Sequence, residues 1–233
     1  MSQGNPYKFG LIGASDSHTG AGAYKEDNYW SKIGIIDGTA QSRGTVPLDE
    51  EQIALAAEVD NPLANLYKDE QGSYLEGGFN AWGASGLAGV WAEENTRDSL
   101  FDAMRRKETF ATSGNRMKVR FFGGYETKSL NLNAENLIKA AYATSATMGG
   151  EILADGSKVP SFLVWAQRDK NGAPLQRVQI IKGTLSNTGG DPSEEIYDVA
   201  CSNGAAVDPT TNRCPDNGAR VDIETCNYSK NAG

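Results

Sequence analysis

The chain has 233 residues, 39% of them hydrophobic and 22% charged, with 22 Lys and Arg against 30 Asp and Glu for a net charge of -8. That length buries a real core in one large or two small domains, and the acidic balance argues against a nucleic-acid partner, whose backbone calls for clustered cations. No apolar run reaches the length of a membrane span, and residues 1–6 lack the basic and apolar regions of a signal peptide.

In chain order, residues 7–14 read as a short strand of aromatic, aliphatic and glycine residues, followed by a Gly-rich loop through Gly22 that lets backbone approach a ligand closely. The segment Gly13-Ala14-Ser15-Asp16-Ser17-His18-Thr19-Gly20 carries the chain's only histidine. Positions i and i+2 of a strand share a face, so Asp16 and His18 converge on one ion while Ser17 turns away. A carboxylate beside an imidazole suits zinc, manganese or iron. The same residues also read as a polar turn in which Asp16 bonds its own backbone. Glu26 and Asp27 either add carboxylate oxygens, hold the His18 tautomer, or form a solvated acidic loop.

Leu48 to Ile53 predicts a helix start, with Asp49 as N-cap, Gln52 at N3 and Leu48 stapling against Ile53; the helix runs to about Val59. Residues 60–82 read as a long loop. Residues 87–92 are an apolar strand ending at Glu93 and Glu94. These acids sit where α/β folds place active residues, and they read equally as ordinary first-turn acids. Asn95 is expected to cap a helix over 96–107, with Leu100, Phe101 and Met104 as its buried stripe. Strand, turn and helix in this order make an α/β unit. Arg97 and Arg116 offer guanidinium groups matched to phosphate or sulfate oxygens, with surface ion pairing as the plainer alternative.

From Met117 onward the pattern is β. Residues 118–122, 161–166, 177–182 and 195–200 are predicted strands, and Asn171-Gly172 predicts a hairpin between the second and third of these. The change of period divides the chain into residues 1–116, an α/β half, and residues 117–233, a β-rich sandwich or cap. Cys201, Cys214 and Cys226 all lie in the last segment, without close Cys-x-x-Cys pairs. A Cys201–Cys214 disulfide in an oxidising compartment and three free thiols are both compatible with that spacing; the first leaves Cys226 unpaired. A serine hydrolase is disfavoured, because the one histidine is placed beside Asp16 and no Gly-x-Ser-x-Gly elbow exists. Phosphate-binding and dinucleotide-binding loops are absent too.

Ser15-Asp16-Ser17-His18 resembles the closing metal motif of the polymerase and histidinol phosphatase (PHP) superfamily, whose distorted-barrel α/β domains gather metal ligands at strand ends. Asn5-Pro6-Tyr7-Lys8-Phe9-Gly10-Leu11-Ile12-Gly13, Glu26-Asp27-Asn28, residues 86–97, residues 101–114, and the stretch from Met148-Gly149-Gly150 to Asp222-Ile223-Glu224-Thr225-Cys226 resemble the bacterial domain of unknown function 3604 family. The resemblance implies that Asp16 and His18 are ligands of a divalent metal cluster, zinc or manganese, whose activated water attacks a phosphoester or a related ester such as a sulfate in a small molecule. It also implies an opening His-x-His motif, which a chain with one histidine cannot contain. This sequence is therefore expected to be the C-terminal part of a longer hydrolase and nearly inactive by itself, and a disulfide in the last segment would place that hydrolase in the periplasm or outside the cell. A non-catalytic binding module with a vestigial metal pair is the rival reading.

Overall fold

The structure, a computed structural model, describes residues 8–20, 28–34, 36–58, 65–76, 82–84, 86–186, 190–222, 224–225 and 227–229. With 17% helix and 26% strand, the chain belongs to the mixed α/β class. It divides into two units, Met1–Asn115 and Arg116–Gly233.

In the first unit, helix α1 (Glu50–Glu58) starts as its sequence predicts. The Asp49 carboxylate accepts from the Gln52 amide at 2.8 Å, and the Gln52 side chain accepts from the Asp49 amide at 3.0 Å. This reciprocal box satisfies two donors that a helix start leaves open. The stretch read as a long loop contains a small hairpin, β1 (Leu66–Lys68) against β2 (Ser73–Leu75). Its turn is built by Asp69, whose carboxylate accepts from the amides of Gln71 and Gly72. Both strands are three residues long, too short to show an alternating pattern.

Strand β3 (Leu87–Val90) leads into helix α2 (Arg97–Arg105), which returns as β4 (Thr109–Thr112), and the two strands pair antiparallel. Gly89 lies opposite Phe110, whose ring covers the glycine so closely that a Cβ there would overlap it. The cap of α2 is Thr96, one residue later than expected: its hydroxyl accepts from the Ser99 amide, while the Ser99 hydroxyl accepts from the Glu94 amide. The buried position of α2 is Ala103, whereas Phe101 is 60% and Met104 51% exposed. The expected stripe holds only in part: the helix packs through Ala103 with Leu100 half-buried beside it, and Phe101 and Met104 face outward.

Residues 8–14 form no strand. They lie beside β3 and β4 without a backbone ladder, with the Thr109 hydroxyl donating to the Leu11 carbonyl at 2.7 Å. A Cβ at Gly13 would sit 3.0 Å from both the Leu87 carbonyl oxygen and the Ala111 side chain, and one at Gly86, where φ is +110°, would overlap the Ala14 carbonyl. Glycines thus let this segment press against the β3 end on its way to Asp16.

The second unit is built on β5 (Lys118–Gly124), flanked antiparallel by β6 (Ala146–Thr147) and β7 (Ser161–Gln167). A helix the sequence reading did not anticipate, α3 (Leu137–Thr144), packs on this sheet through the buried Ala141 and one side of the partly exposed Tyr142. The buried Phe122 ring meets Tyr142 edge-on at 5.1 Å. Strands β8 (Arg177–Thr184) and β9 (Ser193–Cys201) form a separate antiparallel pair. The predicted hairpin between β7 and β8 is thereby corrected. Asn171 and Gly172 do turn, through bonds to Asp169, but the strands they join pair with β5 and β9 instead.

Candidate metal site

The Asp16–His18 pair sits just past the point where residue 14 passes Gly86. Asp16 has φ +57°, the left-handed region, so the pair is brought together by a turn and not by the alternation of a strand. Asp is among the residue types that adopt this conformation most readily. The turn carries the Asp16 carboxylate round to His18, with Oδ1 3.3 Å from Nε2, while the Ser17 hydroxyl points away to the Thr19 carbonyl. The polar turn of the alternative reading is thus present; among the described residues the Asp16 carboxylate in it meets the His18 imidazole. Both side chains are open to solvent, His18 at 58% and Asp16 at 77%.

A loop fixes the backbone beneath them. The His18 amide donates to the Lys32 carbonyl at 2.7 Å. Lys32 in turn belongs to a segment wrapped around Asp37, a fully buried carboxylate. Asp37 Oδ1 accepts from the Ser31 hydroxyl at 2.8 Å and from the amides of Ile33 and Gly34 at 2.9 and 3.1 Å. Its Oδ2 accepts from the Lys32 amide at 2.8 Å and the Tyr29 hydroxyl at 3.2 Å. Burial alone raises the carboxyl pKa, but the amides of Lys32 and Ile33 and the hydroxyls of Ser31 and Tyr29 outweigh it and bring the value from 3.8 to about 2. Arg43 closes the loop from outside, donating to the carbonyls of Trp30 and Asp37 at 2.8 and 3.1 Å.

The remaining candidates are not gathered with the pair in the same way. Arg97 is the first residue of α2, in the same unit. Arg116 opens the second unit, where its amide donates to Asp169 Oδ2 at 2.8 Å. The amides of Asn171 and Arg116, with the Arg116 charge behind them, hold the Asp169 carboxyl below its ordinary range. Glu93 and Glu94 are exposed in the turn between β3 and α2. Glu26, Asp27 and Cys226 lie outside the described residues. Cys201 and Cys214 are joined in a disulfide, with their Cα atoms 5.6 Å apart.

The donor geometry of the pair suits a divalent ion. Ligand bonds of about 2.0–2.2 Å in a tetrahedral site put neighbouring donor atoms about 3.4 Å apart. The observed Oδ1 to Nε2 separation of 3.3 Å is close to that edge, and it is at the same time the contact of an exposed hydrogen bond between the two side chains. Number is the shortfall: among the described residues no group of three His, Cys, Asp or Glu side chains is placed to share an ion. Beside the pair, the Thr19 hydroxyl is buried with no hydrogen-bond partner among the described residues.

Asp37 went unread in the sequence because an acid before a glycine looks like any turn residue. The available signal was its position directly after the apolar run Ile33-Gly34-Ile35-Ile36, where a solvated acid is out of place. No described helix is long and apolar enough to cross a membrane.

A family model described as "Protein of unknown function (DUF3604)" matches residues 1–233. No curated protein matches the chain, and no solved structure does.

Proposed function

The chain belongs to the DUF3604 family, and from that premise we propose that it is a metal-dependent hydrolase of phosphoester or sulfate ester bonds in small molecules. Residues 1–116 are read as the C-terminal part of a PHP-like distorted-barrel domain, and residues 117–233 as a β-rich cap. Asp16 and His18 are two ligands of a zinc or manganese ion, the rest coming from residues outside those described. The observation that supports this reading is the 3.3 Å approach of Asp16 Oδ1 and His18 Nε2, a direct hydrogen-bond contact in this structure whose length is also close to the donor spacing about a shared ion.

The chemistry that a bound divalent ion supplies is a water of lowered pKa and positive charge against the ester oxygens. The chain's own residues do the rest. Asp16 presents its carboxylate through the left-handed turn, and the Lys32 carbonyl holds the His18 backbone in place. Arg97 is the proposed clamp for phosphate or sulfate oxygens, which a guanidinium engages with paired N–H donors, and Arg116 offers the same chemistry within the second unit. The Cys201–Cys214 disulfide supports an oxidising compartment, periplasmic or secreted.

The test is a Zn²⁺ competition titration against a chromophoric chelator, with the wild type, Asp16→Ala and His18→Ala. Each substitution is expected to lower affinity at least ~10-fold, the scale of lost ligation. Affinity unchanged in both variants refutes the site and favours the non-catalytic binding module.

A further inference from the structure

We propose that Asp37 is the positioning residue of the candidate metal site: it sets the path of residues 29–34 and, through the Lys32 carbonyl, the place of the His18 backbone. This deepens the metal-site reading, on which its consequence for metal affinity rests.

A buried carboxylate is costly unless its oxygens are fully engaged. Asp37 is 0% exposed, and among the described residues no cation reaches its carboxylate; its partners are three backbone amides and two hydroxyls. These donors come from five residues within eight positions of Asp37, so each bond fixes the local chain path and none ties down a distant element. Ser31 adds a further link, since its hydroxyl accepts from the Gly34 amide while donating to Asp37. Among the bonds to Oδ2, the one from the Lys32 amide bears on the site: it fixes the residue whose carbonyl receives the His18 amide. Two hydrogen bonds and one residue therefore connect a buried anion to an exposed imidazole. Arg43 reinforces the same path by binding the Trp30 and Asp37 carbonyls. A carboxylate that served only to end a turn would need one or two amides, whereas this one collects enough donors to hold a six-residue segment in a single shape.

The experiment uses the full 233-residue chain, isotopically labelled, in which the ring resonances of the only histidine need no assignment. The variants are Asp37→Asn and Ser31→Ala, with Asp198→Asn in the second unit as a control. Hydrogen exchange of the His18 amide, the His18 ring shifts, and Zn²⁺ affinity are measured in each. In Asp37→Asn the His18 amide should exchange at least ~10-fold faster, its ring signals should move, and Zn²⁺ affinity should fall ~10-fold, the scale of a lost supporting contact. Ser31→Ala should shift all three in the same direction by less, and Asp198→Asn should leave them unchanged. If Asp37→Asn does not fold, Ser31→Ala decides.

A folded Asp37→Asn protein with His18 exchange and ring shifts of the wild type overturns the proposal, and so does a Ser31→Ala protein that shows no change. If Zn²⁺ does not bind, or binds independently of His18, the metal reading fails. The exchange and ring measurements still decide the role of Asp37, so the two failures are told apart.

Discussion

Among the described residues each unit buries one aspartate, and the two are satisfied in opposite ways. Asp37 draws on donors from its own neighbourhood, mostly backbone amides. Asp198, on β9, joins segments far apart in sequence: the Gln179 side chain across the β8–β9 ladder at 2.6 Å, the Cys214 amide at 2.6 Å, and the Arg213 guanidinium at 3.7 Å. The Cys214 and Gln179 bonds hold its carboxyl below the ordinary range. The second arrangement is also braced covalently, since Cys214 is bonded to Cys201 at the end of β9. An anion satisfied locally shapes one loop; an anion satisfied at long range closes a fold, and there a covalent link can share its task.

The largest expected effect follows from that contrast. Asp37→Asn replaces an acceptor pair with one acceptor and one donor, leaving buried amides unsatisfied, and should destabilise the first unit by roughly 3 kcal/mol or more in denaturant unfolding. Asp198→Asn should shift the unfolding midpoint less, because the disulfide holds the Cys214 segment in place. Equal losses in the two variants would break the comparison.

Next in size is the disulfide. Replacing both Cys201 and Cys214 by Ser should cost roughly 2–4 kcal/mol by chain-entropy reasoning, and the added loss from Asp198→Asn should be larger in that background than in the disulfide-bonded protein. A double-mutant cycle with no coupling would show that the brace and the carboxylate act independently.

Acid sharpens the contrast further. Folding lowers the Asp37 pKa from 3.8 to about 2, so its charge stabilises the fold at every pH above 3.8, and this contribution disappears as pH falls through about 2. Hydrogen exchange of the residue 29–34 amides should quicken across that window in the wild type, and Asp37→Asn should show no such step. Smaller again is the turn at Asp16. Asp16→Asn keeps a residue that tolerates the left-handed region, whereas Asp16→Ala should cost about 1 kcal/mol more on unfolding, although both lose the carboxylate. The smallest effect belongs to Arg213→Gln: this cation stands 3.7 Å from Asp198 and is 42% exposed, so the unfolding midpoint should hardly move.

What the sequence discloses follows the same division between near and far. The capping box at Asp49 and Gln52 is legible because both partners lie within one helical turn. Asp16 and His18 are legible as a pair for the same reason, although the left-handed turn that joins them is not, because i, i+2 spacing alone does not say whether a strand or a turn brings two side chains together. The pairing of β7 with β5 and of β8 with β9 is a choice among partners many residues away, and a good turn at Asn171 and Gly172 carries no information about it. On α2 Leu100 keeps to the inward side as expected, but the face is centred on Ala103, whose small side chain carries no hydrophobic emphasis in the sequence, and Phe101 and Met104 fall outside it. Asp37 is local in every bond, yet its donors are mostly main-chain amides, which every residue but proline has and no sequence pattern distinguishes.

The Cys201–Cys214 bridge closes a ring whose intervening residues are mostly exposed, with Asn203 and Asn212 in the left-handed region. Trypsin cutting after Arg213 would therefore release nothing: residues 1–213 and 214–233 would stay together until the bridge is reduced, and intact mass would rise by a single water. The cut would also change the chemistry at Asp198. The Cys214 nitrogen that now donates as an amide would become a free amine, protonated at neutral pH, and the scission would leave a new cation facing the carboxylate it used to hydrogen-bond.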